Sequence, residues 1–230
     1  MRRLIQRLFE KIGGDSENRT SRNGSTFLAD VSGVIHVGAN TGQERAIYAA
    51  HDLDVVWIEP IPEVFRQLQR NLRGFPRQVA YQYLVADADG RRHEFHVASN
   101  EGASSSILNL ALHRDIWPAV RYERTLVLEG ITLSTLVRRE RIAVDQFDAL
   151  ILDTQGSELL VLQGATQLLP HFRFIKTEAA DFESYEGCCQ LRDIQAFLEA
   201  AGFTECQRDP FAAHPSGAGS YYDVVYQRAA

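Results

Sequence analysis

The chain of 230 residues has only three cysteines, Cys188, Cys189 and Cys206. Two are adjacent and none has metal-ligand spacing, which excludes a disulfide framework or a cysteine-held metal and points to the reducing cytoplasm. Long apolar runs are also missing. The longest are strand-length, far short of the roughly 20 residues that cross a bilayer. There is no basic excess: 24 Lys and Arg stand against 30 Asp and Glu, a formal net charge of −6. A broad nucleic-acid footprint is therefore not expected. Repeats and low-complexity tracts are absent, and the charged start, Met1 to Glu10, holds no secretory h-region.

What is present fits one α/β domain. Hydrophobic residues make up 45% of the chain, enough for one sizeable core. Residues 1–25 read as an amphipathic helix and linker. Leu4, Ile5, Leu8, Phe9 and Ile12 recur at helical spacing among Arg2, Arg3, Arg7 and Lys11, and a polar, Gly-rich stretch follows. That helix is expected to pack on its own domain, with weak membrane or partner contact as the alternative. Residues 26–230 are expected to form the domain proper.

From Val34 onward strand and helix patterns alternate. Strands are expected at Val34–Val37, Val55–Ile58, Val79–Val85, Phe147–Leu152, Phe172–Thr177 and Tyr221–Tyr226. Helices are expected at Glu44–Ala50, Pro62–Leu72, Ile131–Arg138, Glu158–Leu169 and Leu191–Ala201. Asp89-Gly90 reads as a hairpin turn inserting strands Arg92–Val97 and Thr125–Leu128. The alternation predicts a Rossmann-like, mostly parallel sheet with helices on both faces, an antiparallel last strand and an inserted β-hairpin.

In such sheets ligands sit beyond the carboxyl ends of the strands. That edge collects His36 to Gly42, Glu59, Asp87, Asp153 and Glu178. The run His36-Val37-Gly38-Ala39-Asn40-Thr41-Gly42-Gln43-Glu44 turns from strand to helix, and Glu59 follows at the spacing of a ribose-binding carboxylate. Asn40 stands where a dinucleotide fingerprint has its middle glycine. A pyrophosphate fits poorly there; a nucleoside without phosphates, such as S-adenosylmethionine, fits better.

These segments resemble the FkbM family of S-adenosylmethionine-dependent methyltransferases, from Val34 to Gln227. The resemblance continues in Trp57-Ile58-Glu59-Pro60, Gly102-Ala103-Ser104-Ser105-Ser106-Ile107-Leu108, Leu152-Asp153-Thr154-Gln155-Gly156-Ser157-Glu158-Leu159, Thr177-Glu178, Tyr185-Glu186-Gly187-Cys188 and Tyr222-Asp223-Val224-Val225-Tyr226. It implies methyl transfer, most often to a hydroxyl of a sugar or secondary metabolite. The Gly38–Gly42 turn would hold the methionine part of the cofactor, Glu59 its ribose, and Ala86 and Asp87 its adenine. Asp153 would lie nearest the methyl with Glu178 beside it. The implied cofactor set is His36, Gly38, Ala39, Asn40, Thr41, Gly42, Glu44, Glu59, Pro60, Ala86, Asp87, Ser105 and Asp153. Two positions depart from the family pattern. His36 replaces an acid that helps hold the cofactor's ammonium group, and Ser134 stands where relatives often carry aspartate.

Asp153 is the first candidate for general base toward an alcohol oxygen, with helix capping as its structural alternative. Glu178 is a candidate for orienting the acceptor, and His113 for a loop base, although a lone loop histidine is more often plain surface. Asp153, Glu178 and Asp181 could share a divalent cation, without a spacing that demands one. Glu158 reads as a helix N-terminal charge, and Cys188 and Cys189 as core residues of the last helix. Residues 99–122 and 210–221, with Trp117, Tyr122, Phe211 and His214, are expected to shape the pocket for a small-molecule or glycan acceptor. The competing classes are a nicotinamide-dependent oxidoreductase and a non-catalytic binding or scaffold protein on the same fold.

Overall fold

A computed structural model of the protein describes residues 26–229; the expected N-terminal helix and linker lie outside them. The central sheet has seven strands in the order β3-β2-β1-β7-β8-β10-β9. β1 (Gly33–Val37), β2 (Asp54–Ile58), β3 (Gln78–Tyr81), β7 (Ala149–Leu152) and β8 (Phe174–Ala180) run parallel. β10 (Ser220–Arg228) is antiparallel to β8 and to β9 (Phe203–Ala213). The chain leaves β1 toward β2 on one side and places β7 on the other. The topological switch point therefore lies between β1 and β7, where ligands of this architecture sit. β1 and β7 are buried along their whole length, as strands covered on both faces must be.

Among the described residues, six helices flank the strands: α1 (Arg45–Ala50), α2 (Pro62–Asn71), α3 (His113–Ile116), α4 (Leu133–Arg139), α5 (Glu158–Gly164) and α6 (Leu191–Ala200). Each start has a local cause. α2 opens on Pro62, whose fixed φ suits the first turn. Thr132 caps α4 by accepting the Thr135 N–H, and Gln190 and Asp193 cap α6 reciprocally. One apolar core spans β1, β2, β7, β8 and β10 with α4, α5 and α6, and a second, around Trp57, fills the opposite face.

The structure departs from the sequence reading in three places. The expected strand Val79–Val85 splits. β3 stays in the main sheet, and β4 (Leu84–Val85) pairs with β6 (Tyr122–Ile131) in a three-stranded sheet completed by β5 (Arg92–Ala98). β9 was not expected. It is an edge strand carrying Pro210 and several charges, features that blunt an edge and hide its strand pattern. Residues 210–221 therefore belong to the β9–β10 hairpin rather than to a pocket loop. Finally, Cys188 and Cys189 precede α6, with Cys188 packed in a satellite cluster beside Tyr185 and Leu110.

Gly38 fixes how β1 and β7 meet. Its φ is +86°, and a Cβ there would stand 1.8 Å from the carbonyl oxygen of Asp153. No rotation relieves a clash between two backbones. Gly38→Ala is expected to cost more than about 3 kcal/mol in chemical denaturation. Gly217→Ala, at φ +79° with open space around it, is expected to cost only about 1–2 kcal/mol of left-handed strain.

Candidate active site

A pocket of about 450 Å³ opens at the β1/β7 switch point, within the range of small-molecule sites. Gly38, Ala39 and Asn40 form one side, with Glu59 and Pro60 beyond the end of β2. Tyr83, Leu84, Val85 and Phe95 form an apolar wall, so the inserted sheet closes the pocket. Gly102, Ala103 and Ser105 cover it, and Glu44, Asp153, Thr154 and Gln155 line the far end.

From Gly38 to Gly42 every backbone N–H already has an acceptor within the protein. Asn40 takes φ +44°, a left-handed conformation that asparagine tolerates. Its N–H donates to Glu59 Oε2 at 2.9 Å, the Thr41 N–H donates to Asn40 Oδ1 at 2.7 Å, and the Gly42 N–H donates to the Ala39 carbonyl at 2.9 Å. Phosphate-binding turns aim such amides at the ligand. Here they are consumed internally. Thr41 and Gly42 stand behind the turn, outside the pocket lining.

Glu59 is 4% exposed, and its other oxygen accepts the Ile61 N–H at 2.8 Å. Burial raises its pKa to about 8, against the lowering effect of the two amides. Each oxygen keeps a lone pair for a further donor, the disposition two ribose hydroxyls require. His36 is neutral: burial, with some effect from Lys176, lowers its pKa to about 3. Its ring stacks on Trp57 and its Nδ1 lies 3.0 Å from the Tyr48 hydroxyl. The negative charge it does not supply is available from Glu44 and Asp153 in the same pocket.

The far end is a cluster of largely half-buried carboxyl groups around one lysine. Lys176 Nζ lies 3.0 Å from Asp223 Oδ1. Burial raises the Asp153 pKa to about 6, opposed by a 2.6 Å hydrogen bond from Gln155 Nε2. Burial also raises Glu44. Glu178, paired in register with Asp223, is pushed well above the carboxylate range by burial and then by the charges of Asp153 and Asp223. Glu158 folds back so that its carboxylate accepts the N–H groups of Thr154 and Gly156, fixing the turn after β7; burial raises its pKa to about 7.

The expected site residues therefore divide. His36, Gly38, Ala39, Asn40, Glu44, Glu59, Pro60, Ser105 and Asp153 line one pocket. Ala86 and Asp87 do not; the wall is made by the residues just before them, and Asp87 faces Arg91 at 3.4 Å. Glu178 lies behind Gln155 in a separate crevice. His113 is 3% exposed rather than on the surface, held between the hydroxyls of Tyr221 (2.8 Å) and Ser104 (3.1 Å) with both ring nitrogens occupied. Burial lowers its pKa to about 4. The side chains of Trp117, Phe211 and His214 pack in satellite clusters beside Tyr221 and Phe182, outside the pocket lining. Tyr122 stacks on His96 and donates to the Leu108 carbonyl. Ser134 donates to the Gly164 carbonyl, tying α4 to the end of α5. Among the described residues, no three His, Cys, Asp or Glu side chains group to hold a metal, and Asp153, Glu178 and Asp181 do not form such a set. No described helix is long and apolar enough to cross a membrane. Sequence reasoning missed Lys176 and Gln155. A lysine inside the apolar run Phe174-Ile175-Lys176 was the one available signal for the first.

A doubly wound sheet with a phosphate-averse turn and an acidic far end defines the class of Rossmann-like methyltransferases. The sequence matches the methyltransferase FkbM domain over residues 36–205, and the chain belongs to that family. It is 26% identical over 173 residues to 2-O-methyltransferase NoeI of Sinorhizobium fredii, covering 72% of this chain and 70% of that protein. Its fold is similar to that of magnesium protoporphyrin IX methyltransferase from Synechocystis PCC 6803, a structure with bound S-adenosylmethionine. That match has a TM-score of 0.50 at 12% identity, over 93% of this chain and 80% of the other. An uncharacterized protein from Listeria monocytogenes serotype 4b matches with a TM-score of 0.51 at 7% identity, over 91% and 68%.

The neutral histidine at the pocket makes an acid-stability prediction. His36 binds no proton in the fold down to about pH 3 but does so below 6.5 once unfolded. Unfolding therefore takes up a proton in that window, and stability falls as the pH is lowered through it. His36→Gln, which keeps a partner for Tyr48, is expected to flatten the slope of unfolding free energy against pH by up to about 1.4 kcal/mol per pH unit. Denaturant titrations at a series of pH values measure this.

Proposed function

We propose that the chain is an S-adenosylmethionine-dependent O-methyltransferase acting on a sugar hydroxyl of a glycan or glycosylated metabolite. The observation that carries this reading is one pocket joining a Gly38–Gly42 turn whose amides are all used to a half-buried carboxyl, Asp153, whose pKa desolvation raises to about 6. The first favours a nucleoside without phosphates and disfavours a nicotinamide dinucleotide. The second suits a base that must be ionised at neutral pH and within reach of an alcohol proton. The similarity to a 2-O-methyltransferase supports the same acceptor chemistry.

The residues present fit such a cofactor. Glu59 takes the ribose hydroxyls, the wall from Tyr83 to Val85 with Phe95 takes the adenine, and Glu44 takes the ammonium group. When bound, S-adenosylmethionine supplies a methyl group activated by a sulfonium. Gly38, having no Cβ, lets the turn pass directly against the Asp153 backbone. Asp153 orients the acceptor hydroxyl and takes its proton as the new oxygen–carbon bond forms. The bound cofactor's sulfonium would leave as the neutral thioether, and Asp153 would pass the proton to solvent. Lys176, paired with Asp223, offsets the remaining negative charge at this end.

Calorimetric titration is expected to show binding of S-adenosylmethionine and none of NAD. Glu59→Ala is expected to weaken binding by about 10- to 100-fold, the loss of charge-assisted hydrogen bonds. Ribose donors stabilise the ionised form of Glu59, whose free pKa is about 8. Binding therefore releases a proton below that pH, and affinity is expected to rise from about pH 6 to 8 by at most about tenfold per unit. Asp153→Asn is expected to retain cofactor binding and lose turnover. Equal affinity in wild type and Glu59→Ala would overturn the cofactor assignment.

A further inference from the structure

Behind the main pocket lies a second, much smaller space. Gln155, Glu158, Glu178, Ser184, Tyr185 and Cys189 line a crevice of about 10 Å³, the least that holds one water. Gln155 borders both spaces and separates them. Its carboxamide spans the division: Nε2 donates to Asp153 Oδ1 at 2.6 Å, and Oε1 accepts from the Tyr185 hydroxyl at 2.7 Å. Its main chain takes φ +54°, unusual for a residue other than glycine, and its carbonyl accepts the Ser106 hydroxyl at 2.8 Å. On the far side, the Glu178 side chain faces the crevice without a hydrogen-bond partner among the described residues. A half-buried carboxyl with no donor favours a ligand that brings one.

We propose that the Gln155 carboxamide stands in for the acceptor, and that the crevice behind it is the acceptor subsite, shaped for a vicinal diol. The inference rests on the methyltransferase reading above. The amide offers Asp153 a donor and Tyr185 an acceptor from two adjacent atoms. When the side chain swings aside, Asp153 Oδ1 and the Tyr185 hydroxyl face the opening with those needs unmet, and the pocket and the crevice become one space. An alcohol oxygen both donates and accepts, so a hydroxyl satisfies Asp153 and Tyr185 together. A neighbouring hydroxyl reaches Glu178. An ammonium group has no lone pair for the Tyr185 O–H, so it fits only with that hydroxyl turned to accept and its own proton left without a partner. Gln155 is thus a positioning residue: in the resting protein its amide holds the Asp153 carboxylate in place on the crevice side, and it yields its place only to a group with the same hydrogen-bonding pattern.

Cys189 is half-buried and lines the crevice, and desolvation pushes its thiol up, so a change in its reaction rate when the crevice opens reports access. The full chain is treated with methyl methanethiosulfonate and each cysteine is read by peptide mass mapping; exposed Cys206 is the internal control. Gln155→Ala is expected to speed modification of Cys189 at least about tenfold over wild type, with Cys206 unchanged. Gln155→Asn, too short to span Asp153 and Tyr185, is expected to do so in part, and it serves if the alanine variant does not fold. In the opened variant, trans-1,2-cyclohexanediol is expected to slow Cys189 modification and cyclohexylamine is not. Tyr185→Phe, combined with Gln155→Ala, is expected to abolish protection by the diol. Unchanged Cys189 rates in both Gln155 variants overturn the subsite, and equal protection by the amine overturns the diol assignment. Binding of S-adenosylmethionine is measured on the same samples. Its absence in wild type sinks the methyltransferase reading and leaves the access result standing separately.

Discussion

The close passage of the Gly38 backbone against the Asp153 carbonyl is the constraint on which the ligand edge depends. β1 and β7 are neighbours in the sheet, and their chains must diverge immediately beyond it, one toward α1 and the other toward α5. Only a residue without a Cβ, at positive φ, lets the first chain turn away while the second passes beside it. From that crossing the rest follows. Asn40 is placed to give its N–H to Glu59, which accepts Ile61 in return, so one buried carboxylate clamps the turn to the end of β2. On the other chain, Asp153 is carried to the far end of the same pocket, and Glu158 holds the loop that follows.

Electrostatics then set what the pocket can do. Glu44, Glu59, Asp153, Glu158 and Glu178 are withdrawn from bulk water, and Lys176 is the cation that acts on several of them. Desolvation dominates every one of these carboxyl groups and pushes it toward the neutral form. The degree differs with the partners available. Glu59 has two amides and Asp153 has Gln155 and a nearby lysine, whereas Glu178 faces Asp223 across the sheet and has no donor. The outcome is a graded set in which Asp153 is the easiest of the far-end pair to ionise and Glu178 the hardest. Groups of one chemical type thereby acquire different tasks, a pattern typical of sites for proton transfer.

Much of this was legible in the sequence, for a definite reason. The turn from Gly38 to Gly42, Glu59 and Asp153 lie where strand patterns end, and strand ends of a parallel sheet share one edge whatever the details of packing. What failed was everything set by non-local pairing. Val79 to Val85 reads as one apolar run, yet Leu84 and Val85 leave the main sheet because β6, some forty-five residues later, offers them a partner. That move puts the apolar wall of the pocket at Tyr83 to Val85 and Phe95 instead of at Ala86 and Asp87. His113 looked like a surface loop residue, since nothing local reveals that Tyr221 and Ser104 close over it. β9 was hidden because edge strands are written in charges and proline rather than in alternating apolar residues.

Gln155 shows most clearly why local chemistry and tertiary contact must be read together. In sequence it is one polar residue before a glycine. In the fold its two amide atoms meet one carboxylate and one phenol, the donor and acceptor demands of an alcohol. A protein that leaves a base such as Asp153 open to water would solvate it and lose part of the elevation that burial gives. The Gln155 amide holds the Asp153 carboxylate oriented without neutralising it, since an amide donates a hydrogen bond but transfers no proton at these pKa values. An acid at that position would instead add charge beside Asp153 and raise its pKa further. The carboxamide therefore reconciles two conflicting requirements, a buried base and one still able to ionise near neutrality.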